Sequence, residues 1–129
     1  MRLSDMVRDM KITKRRKLVG DIVKAEYARQ RFTREQTADR AHMSPSTLDR
    51  VRDGDASVRS STLRSVEGAL GLPDDLLIYI ADGDTAAIEA IGANEMRPGL
   101  RRVIMAGLAR IAAEEVEEAR PPRTRKKAQ

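Results

Sequence analysis

The chain has 129 residues, of which 40% are hydrophobic and 35% charged, and this balance fits one helical domain with a small appendage. Three aromatic residues are too few for a sheet-rich fold or for a protein that stacks single-stranded bases. The lack of cysteine excludes disulfides and thiolate metal sites, and no apolar run approaches the ~18 residues of a membrane span. We therefore expect a soluble, cytoplasmic protein with no signal peptide and no membrane partner.

The positive charge behind the formal net charge of +5 lies mainly at the two ends of the chain. Residues 1–32 and 121–129 are basic, whereas residues 33–83 carry more acidic than basic side chains. Most of the basic residues are Arg, whose planar fork suits phosphate oxygens and guanine edges, although a basic balance can also serve solubility alone. The distribution is compatible with a nucleic-acid partner.

Apolar residues recur at helical spacing throughout the chain, and no segment alternates with period two. The first helix is predicted over residues 14–31. The second is predicted over residues 33–41, with Thr33 as its N-cap and Gln36 at the spacing of a capping box.

The predicted third helix is short and polar. Ser44 caps it, and Pro45 occupies its first position, where the missing N–H has no cost. Leu48 and Val51 are expected to form its buried face, and Gly54 ends it.

Two further helices complete a group of five over residues 14–82. Ser60 or Ser61 is expected to cap the fourth helix, which Gly71 ends, and Pro73 opens a short fifth helix. Outside this group, the flanking segments are expected to be a flexible basic arm and a disordered basic tail, over residues 1–13 and 121–129 respectively.

Residues 83–120 are predicted to form a small helical segment, with one helix from Asp84 to about Ile91 and a longer one from Pro98. The longer helix carries an apolar stripe that needs a surface to cover it. The stripe can pack back on the first five helices, pair with a second copy, or receive another protein. We favour a homodimer, because two copies bound one helical turn apart on a nucleic-acid duplex bind it more tightly than a single copy does. The expected oligomerisation residues are Leu100, Val103, Ile104, Leu108 and Ile111.

The second and third helices, with a turn of about three residues between them, form a predicted helix-turn-helix unit. The small Ala38 allows the two helices to cross closely. A short helix of this kind can enter the major groove, where Arg forks onto guanine and hydroxyls contact bases or phosphates. Its N-terminal amides also favour a nearby phosphate. The outward positions of the third helix are Ser46, Thr47, Asp49, Arg50 and Asp53.

The stretch FTREQTADRAHMSPSTLDRVRDG, followed by STLRSVEGALGLP, resembles the lambda-repressor-like (Cro/cI, Xre-type) helix-turn-helix family. Met43 and Ser44 at the start of the third helix, the Arg50–Val51 pair and Gly54 carry the likeness, which extends over roughly residues 14–80. The resemblance implies an all-α, five-helix domain that binds double-stranded DNA and regulates transcription, commonly as a dimer on a palindromic operator.

Three residues depart from the pattern of this family. His42 stands in the turn where Gly is usual, Arg34 replaces a Gln that often clamps the DNA backbone, and Pro45 replaces a residue that frequently reads a base. Because the proline side chain cannot donate a hydrogen bond, base readout is expected to shift to Ser46, Asp49 and Arg50.

The DNA backbone is expected to be contacted by two groups of residues. Because residues 33–83 are acidic, counterion release on binding must come from a basic flank. We assign this role to Lys14, Arg15, Arg16 and Lys17. The other expected backbone contacts are Arg34, Ser44, Thr47, Arg59, Ser61 and Arg64.

These features predict a sequence-specific, DNA-binding transcriptional regulator, most simply a nucleoid-associated repressor of bacterial or phage type. The alternative is an antitoxin-like subunit that neutralises a protein partner through its C-terminal helices or its basic tail, with DNA binding secondary. An enzyme is not expected, because the chain has one His, no Cys and no Gly-rich phosphate loop. No cofactor and no metal are expected.

Overall fold

The computed structural model describes the backbone of residues 3–119 and the side chains from Lys14 onward. Over this range the fold is all-α, without strands, and no helix is both long and apolar enough to cross a bilayer. The predicted basic tail, residues 121–129, lies outside the described residues. The helices are α1 (Leu3–Arg29), α2 (Arg34–Arg40), α3 (Pro45–Arg52), α4 (Ser60–Leu70), α5 (Leu76–Asp82), α6 (Thr85–Glu89) and α7 (Pro98–Ala119).

Helix α1 begins well before its predicted start at residue 14. Its backbone is helical from Leu3, so the segment expected to be a flexible arm, residues 1–13, is helix over most of its length. Apolar residues at positions 3, 6, 7 and 10 recur at the spacing of one helix face. This periodicity, and not the basic composition, indicates the structure of the segment.

The caps predicted for α2 and α3 are confirmed. The amide of Gln36 donates to Thr33 Oγ1 at 3.0 Å, and the amide of Thr33 donates to Gln36 Oε1 at 2.8 Å, which completes a capping box. At α3 the amide of Thr47 donates to Ser44 Oγ at 3.2 Å, with Pro45 in the first turn. Both helices therefore begin where the sequence predicts.

Helix α4 begins without a side-chain cap. Its N-cap residue is Arg59, whose side chain makes no capping hydrogen bond, so neither Ser60 nor Ser61 caps the helix as predicted. The C-terminal end follows the prediction, because Gly71 takes the left-handed conformation (φ 68°) that glycine adopts without strain.

Helix α5 begins at Leu76 and not near Pro73. Glu67 belongs to α4 and is buried. Its carboxylate accepts hydrogen bonds from the amides of Asp75 at 2.8 Å and Leu77 at 2.7 Å. It satisfies the first amides of α5 from a distant element, and this defines the start of the helix. Burial raises the pKa of Glu67, and these two amide hydrogen bonds oppose that effect.

The long helix α1 packs against α3, α4, α5 and α7. Buried side chains from every helix of the described range form one continuous hydrophobic core, in which Val19 and Val23 of α1 are at most 1% exposed. The core is continuous across the predicted domain boundary at residue 83. The five-helix group and the C-terminal segment therefore share one interior.

The apolar stripe of α7 packs back on α1 of the same chain, where Leu18 lies against Gly107. Val103 is 58% exposed, but the other four residues predicted to form a dimer interface are at most 6% exposed. That prediction is wrong for these four, because the Leu18–Ile22 face of α1 needs a cover and α7 supplies it within one chain. They are Leu100, Ile104, Leu108 and Ile111.

Candidate nucleic-acid interface

Helix α3 has a buried face and an exposed face, as its sequence predicts. Leu48 and Val51 are 1% and 2% exposed and pack into the core. Ser46 and Arg50 lie on the opposite, exposed face. The apolar residues therefore orient the helix and leave a hydroxyl and a guanidinium facing solvent.

Three hydroxyl groups cluster at the start of α3. Ser44 Oγ lies 3.0 Å from Thr47 Oγ1 and 3.5 Å from Ser46 Oγ. His42, in the preceding turn, takes a φ of 58°, so it adopts the left-handed conformation that a glycine would otherwise supply. The hydroxyls lie at the positive end of the helix dipole, where an anion is favoured.

Two glycines set the position of α3 against α1. A Cβ at Gly20 of α1 would lie 2.1 Å from the carbonyl oxygen of Arg52, and a Cβ at Gly54 would lie 2.8 Å from the backbone nitrogen of Lys17. Gly54 also has a φ of 79°, which strains any other residue. Because both contacts are with backbone atoms, no side chain fits between α1 and the C-terminal end of α3 at these two positions.

Arg34 and Asp49 join the start of α2 to the middle of α3. Arg34 Nε donates to Asp49 Oδ1 at 2.7 Å and Arg34 Nη2 donates to Asp49 Oδ2 at 2.8 Å, a bidentate pair. The hydrogen bonds from Arg34 hold the pKa of Asp49 below its ordinary range. Residues predicted to contact a phosphate and a base, respectively, therefore contact each other in the free protein.

Arg50 is held by the loop that follows α3. Its Nε donates to Asp55 Oδ2 at 3.0 Å, and its Nη2 donates to Ser57 Oγ at 2.6 Å. Asp55 in turn accepts from the Ser57 hydroxyl at 2.7 Å and the Ser57 amide at 2.9 Å. The two hydrogen bonds from Ser57 and the one from Arg50 lower the pKa of Asp55 to about 2.

Sequence reasoning assigned no role to Asp55 and Ser57. The signal that could have identified them is the Asp-x-Ser spacing, since an Asp side chain often accepts from the amide two residues on and fixes a loop. The spacing explains the fixed loop, but only the folded chain shows that Arg50 reaches it.

Two of the four basic residues assigned to DNA phosphates pair with α7. Lys14 forms a salt bridge with Glu118, which raises the pKa of Lys14, and Arg15 Nη1 lies 3.2 Å from Glu115 Oε1. Arg15 Nε also donates to the carbonyl of Ala81 at 2.7 Å. These two cations are therefore each paired with a carboxylate of α7.

The other two basic residues of this group differ in their surroundings. Arg16 Nη1 donates to the carbonyl of Val58 at 3.1 Å, so this side chain supports the loop between α3 and α4. Lys17 is 60% exposed, and Asp21 lies 4.0 Å from its ammonium group. Of the group Lys14, Arg15, Arg16 and Lys17, the last is the most accessible.

The remaining predicted backbone contacts lie around the start of α4. Arg59 and Ser61 are exposed. Arg64 Nε donates to Asp75 Oδ1 at 2.9 Å in a pair that is itself exposed. The loop after α3 and the first turn of α4 thus place accessible polar groups beyond one end of α3.

Comparison with known proteins returned no relative: no family model matches the chain, nor does any curated protein or solved structure. Within the part of the chain that the structure describes, no group of three or more His, Asp or Glu is placed to hold a metal ion. The geometry of α2, α3 and the following loop is therefore the observation from which a function can be argued.

Proposed function

We propose that this chain is a sequence-specific regulator that binds double-stranded DNA, most simply a repressor, with α1–α5 as a lambda-repressor-like helix-turn-helix domain. In this proposal α3 enters the major groove. The observation that carries the proposal is the exposed face of α3, on which Ser46 and Arg50 are open to solvent while Leu48 and Val51 fix the helix from behind. Arg50 can then fork onto guanine O6 and N7.

The residues predicted to contact DNA fall into two groups, according to whether their side chains are exposed or hydrogen-bonded within the chain. Ser44, Arg59 and Ser61 are exposed polar groups that can contact phosphates and orient the protein on the duplex. Arg34 and Asp49 form a bidentate pair that joins α2 to α3, and Arg34 also donates to Glu35. In this proposal the pair positions α3 instead of contacting DNA.

The first test is an unbiased selection of bound duplexes from a random pool at physiological salt, which reports motif length and symmetry together. A defined motif is the expected result. If no sequence is enriched while the protein remains folded, the proposed function is wrong, and the exposed face of α3 is then to be tested for a stoichiometric protein partner by affinity capture.

Arg50→Ala is expected to lower affinity for the selected duplex about tenfold and to abolish the preference at one base pair, because a bidentate contact to guanine is lost. Fluorescence anisotropy on the selected duplex and its single-base-pair variants measures both effects. Arg102→Ala removes the same side chain from an exposed position of α7 and is the matched control. Equal losses in the two variants would contradict a base contact by Arg50.

The double variant Glu115→Gln with Glu118→Gln is expected to bind random duplexes severalfold more tightly. Lys14 and Arg15 lose their carboxylate partners in α7, and each cation that reaches a phosphate releases counterions, which steepens the salt dependence by about 0.9 per contact. Titrations of a random duplex at several salt concentrations measure this slope.

The control for net charge is Glu89→Gln with Glu95→Gln, which neutralises two exposed acidic residues that lie outside α7. The same gain and the same slope in both double variants would show that net charge alone is responsible. The predicted phosphate contacts of Lys14 and Arg15 would then be discarded.

A homodimer remains part of the proposal, because a single short helix in the groove gives limited affinity. The proposed interface lies outside the α7 stripe, because four of the five stripe residues are buried within one chain. A palindromic motif in the selection, with two protein chains per duplex in sedimentation, is the expected result.

A further inference from the structure

We infer that Asp55 and Ser57 hold Arg50 in a fixed orientation with one edge of its guanidinium free to recognise guanine, which makes Asp55 a specificity-determining positioning residue. This inference rests on the proposed function. It states that the loop after α3 affects base preference through Arg50, without itself contacting a base. It follows from the hydrogen bonds of the three residues, their exposure and the charge that Asp55 carries.

The three side chains form a closed hydrogen-bonded group. Arg50 donates to Asp55 through Nε (3.0 Å) and to Ser57 through Nη2 (2.6 Å), and the Ser57 hydroxyl donates to Asp55 at 2.7 Å. The Ser57 amide, at 2.9 Å from Asp55 Oδ1, anchors the group to the backbone. Arg50 is therefore fixed by groups that are themselves fixed.

The group leaves the recognition edge of Arg50 unoccupied. A guanidinium has five N–H donors in a rigid plane, and the hydrogen bonds to Asp55 and Ser57 use one on Nε and one on Nη2. The remaining N–H groups of Nη1 and Nη2 form the terminal edge, whose paired donors match the O6 and N7 acceptors of guanine. The side chain is 54% exposed, so this edge can be reached.

Holding the side chain before binding favours discrimination between bases. A free Arg side chain loses much rotamer freedom when it is fixed against a base, whereas one that is already fixed loses little. A fixed fork also cannot move to a neighbouring acceptor when guanine is replaced. The Asp55–Ser57 pair is thus expected to add to the preference for one base pair.

The charge of Asp55 has the opposite effect on nonspecific binding. A carboxylate next to the bound duplex repels phosphates, so its removal is expected to strengthen binding to random sequences. A residue that only stabilised the loop would, on removal, weaken binding to every duplex. The two roles therefore predict different results.

The variant that separates these roles is Asp55→Asn. Its side-chain carbonyl can still accept from the Ser57 amide and keep the loop, while its NH₂ group cannot accept from Arg50 Nε. The matched control is Asp53→Asn, which removes one exposed acidic charge at the end of α3. The Asp53 carboxylate lies 3.6 Å from Arg52, whereas Arg50 donates to Asp55 and Ser57.

The experiment begins with the duplex that the wild-type chain selects and with the base pair whose preference Arg50→Ala abolishes. Affinities are measured for that duplex, for its three variants at this base pair, for variants at a distant base pair and for a random duplex. Thermal unfolding of each protein variant shows that it is folded.

Asp55→Asn is expected to reduce the preference for guanine at that base pair about five- to tenfold, with unchanged preference at the distant one and equal or higher affinity for random DNA. Asp53→Asn is expected to raise random-duplex affinity without changing any preference. In the Arg50→Ala background, Asp55→Asn is expected to change no preference further.

An unchanged preference at the Arg50 base pair in Asp55→Asn would overturn the inference, and so would an equal loss of preference at every base pair. Both results leave the proposed function standing, because the wild-type chain still selects a motif. If the wild-type chain selects no sequence, the proposed function and this inference fail together.

Discussion

Replacing Gly20 by Ala is expected to lower the free energy of unfolding by about 3 kcal/mol, even though Ala favours a helix over Gly by ~1 kcal/mol. The added Cβ would lie 2.1 Å from the Arg52 carbonyl oxygen and 2.8 Å from that of Val51. Both neighbours are backbone atoms, which cannot rotate away as a flexible side chain can. Helices α1 and α3 must therefore separate, and the contacts of Leu48 and Val51 with the core are lost in part.

Urea unfolding followed by circular dichroism measures this loss, provided that the denaturant dependence is unchanged between variants. Gly68→Ala is the matched control, because Gly68 lies on the exposed side of α4 with no atom within 4 Å of an added Cβ. The free energy of unfolding of Gly68→Ala is expected to rise by about 0.5–1 kcal/mol from helix propensity alone. A Gly20→Ala protein as stable as the wild type would show that α1 and α3 do not pack as closely as described.

Glu26→Gln is expected to lower the free energy of unfolding by about 2–3 kcal/mol at neutral pH. Glu26 is 2% exposed, accepts from Arg29 at 3.0 Å and forms a second salt bridge with Arg97 at the start of α7. Burial alone would raise the pKa of Glu26, but the hydrogen bonds from Arg29 and Arg97 outweigh it and lower the pKa. The neutral amide cannot replace these charge-assisted hydrogen bonds.

The sign of this pKa shift gives the pH dependence. A carboxylate with a pKa lowered by folding contributes stability at pH values above its unfolded pKa, near 4.5, and this contribution is lost as the pH falls through the folded pKa. The difference in stability between wild type and Glu26→Gln should therefore be constant near neutrality and shrink below about pH 4.5. A difference that does not depend on pH in acid would indicate that Glu26 acts through its volume and not its charge.

Local signals in the sequence predicted most of the helices and the orientation of α3. The Thr33–Gln36 capping box and the Ser44–Pro45 start are each encoded within four residues, so they can be read without the rest of the fold. The inward positions Leu48 and Val51 follow from helical periodicity. Where both the start and the periodicity of a helix are local, the prediction was correct.

The errors arose where a distant residue decides the structure. The start of α5 depends on Glu67, which reaches across from α4, and no local pattern around Pro73 reports this. Helical periodicity identifies the apolar stripe of α7, but it indicates only that a face is buried and not what buries it. The α1 surface that covers it is distant in sequence.

The candidate site shows the same division. The exposure of Ser46 and Arg50 follows from their positions on α3. The hydrogen-bond partners of Arg34 and Arg15 cannot be predicted from helix position, because Arg side chains reach any carboxylate or carbonyl that folding brings near them. Basic composition therefore predicts that cations are present, but the tertiary structure decides how many of them stay unpaired.

Helix α1 contacts α3 at Gly20 and α7 at Leu18, so loss of α7 would expose a helix against which α3 also packs. A shortened chain that stops after Ala93 would expose the Leu18–Ile22 surface to solvent. It would also remove the salt bridge between Arg97 and the carboxylate of Glu26. Poor solubility of such a fragment, or weak binding in the proposed duplex assays, would then reflect an opened interior. A fragment that keeps this interior closed therefore has to include α7.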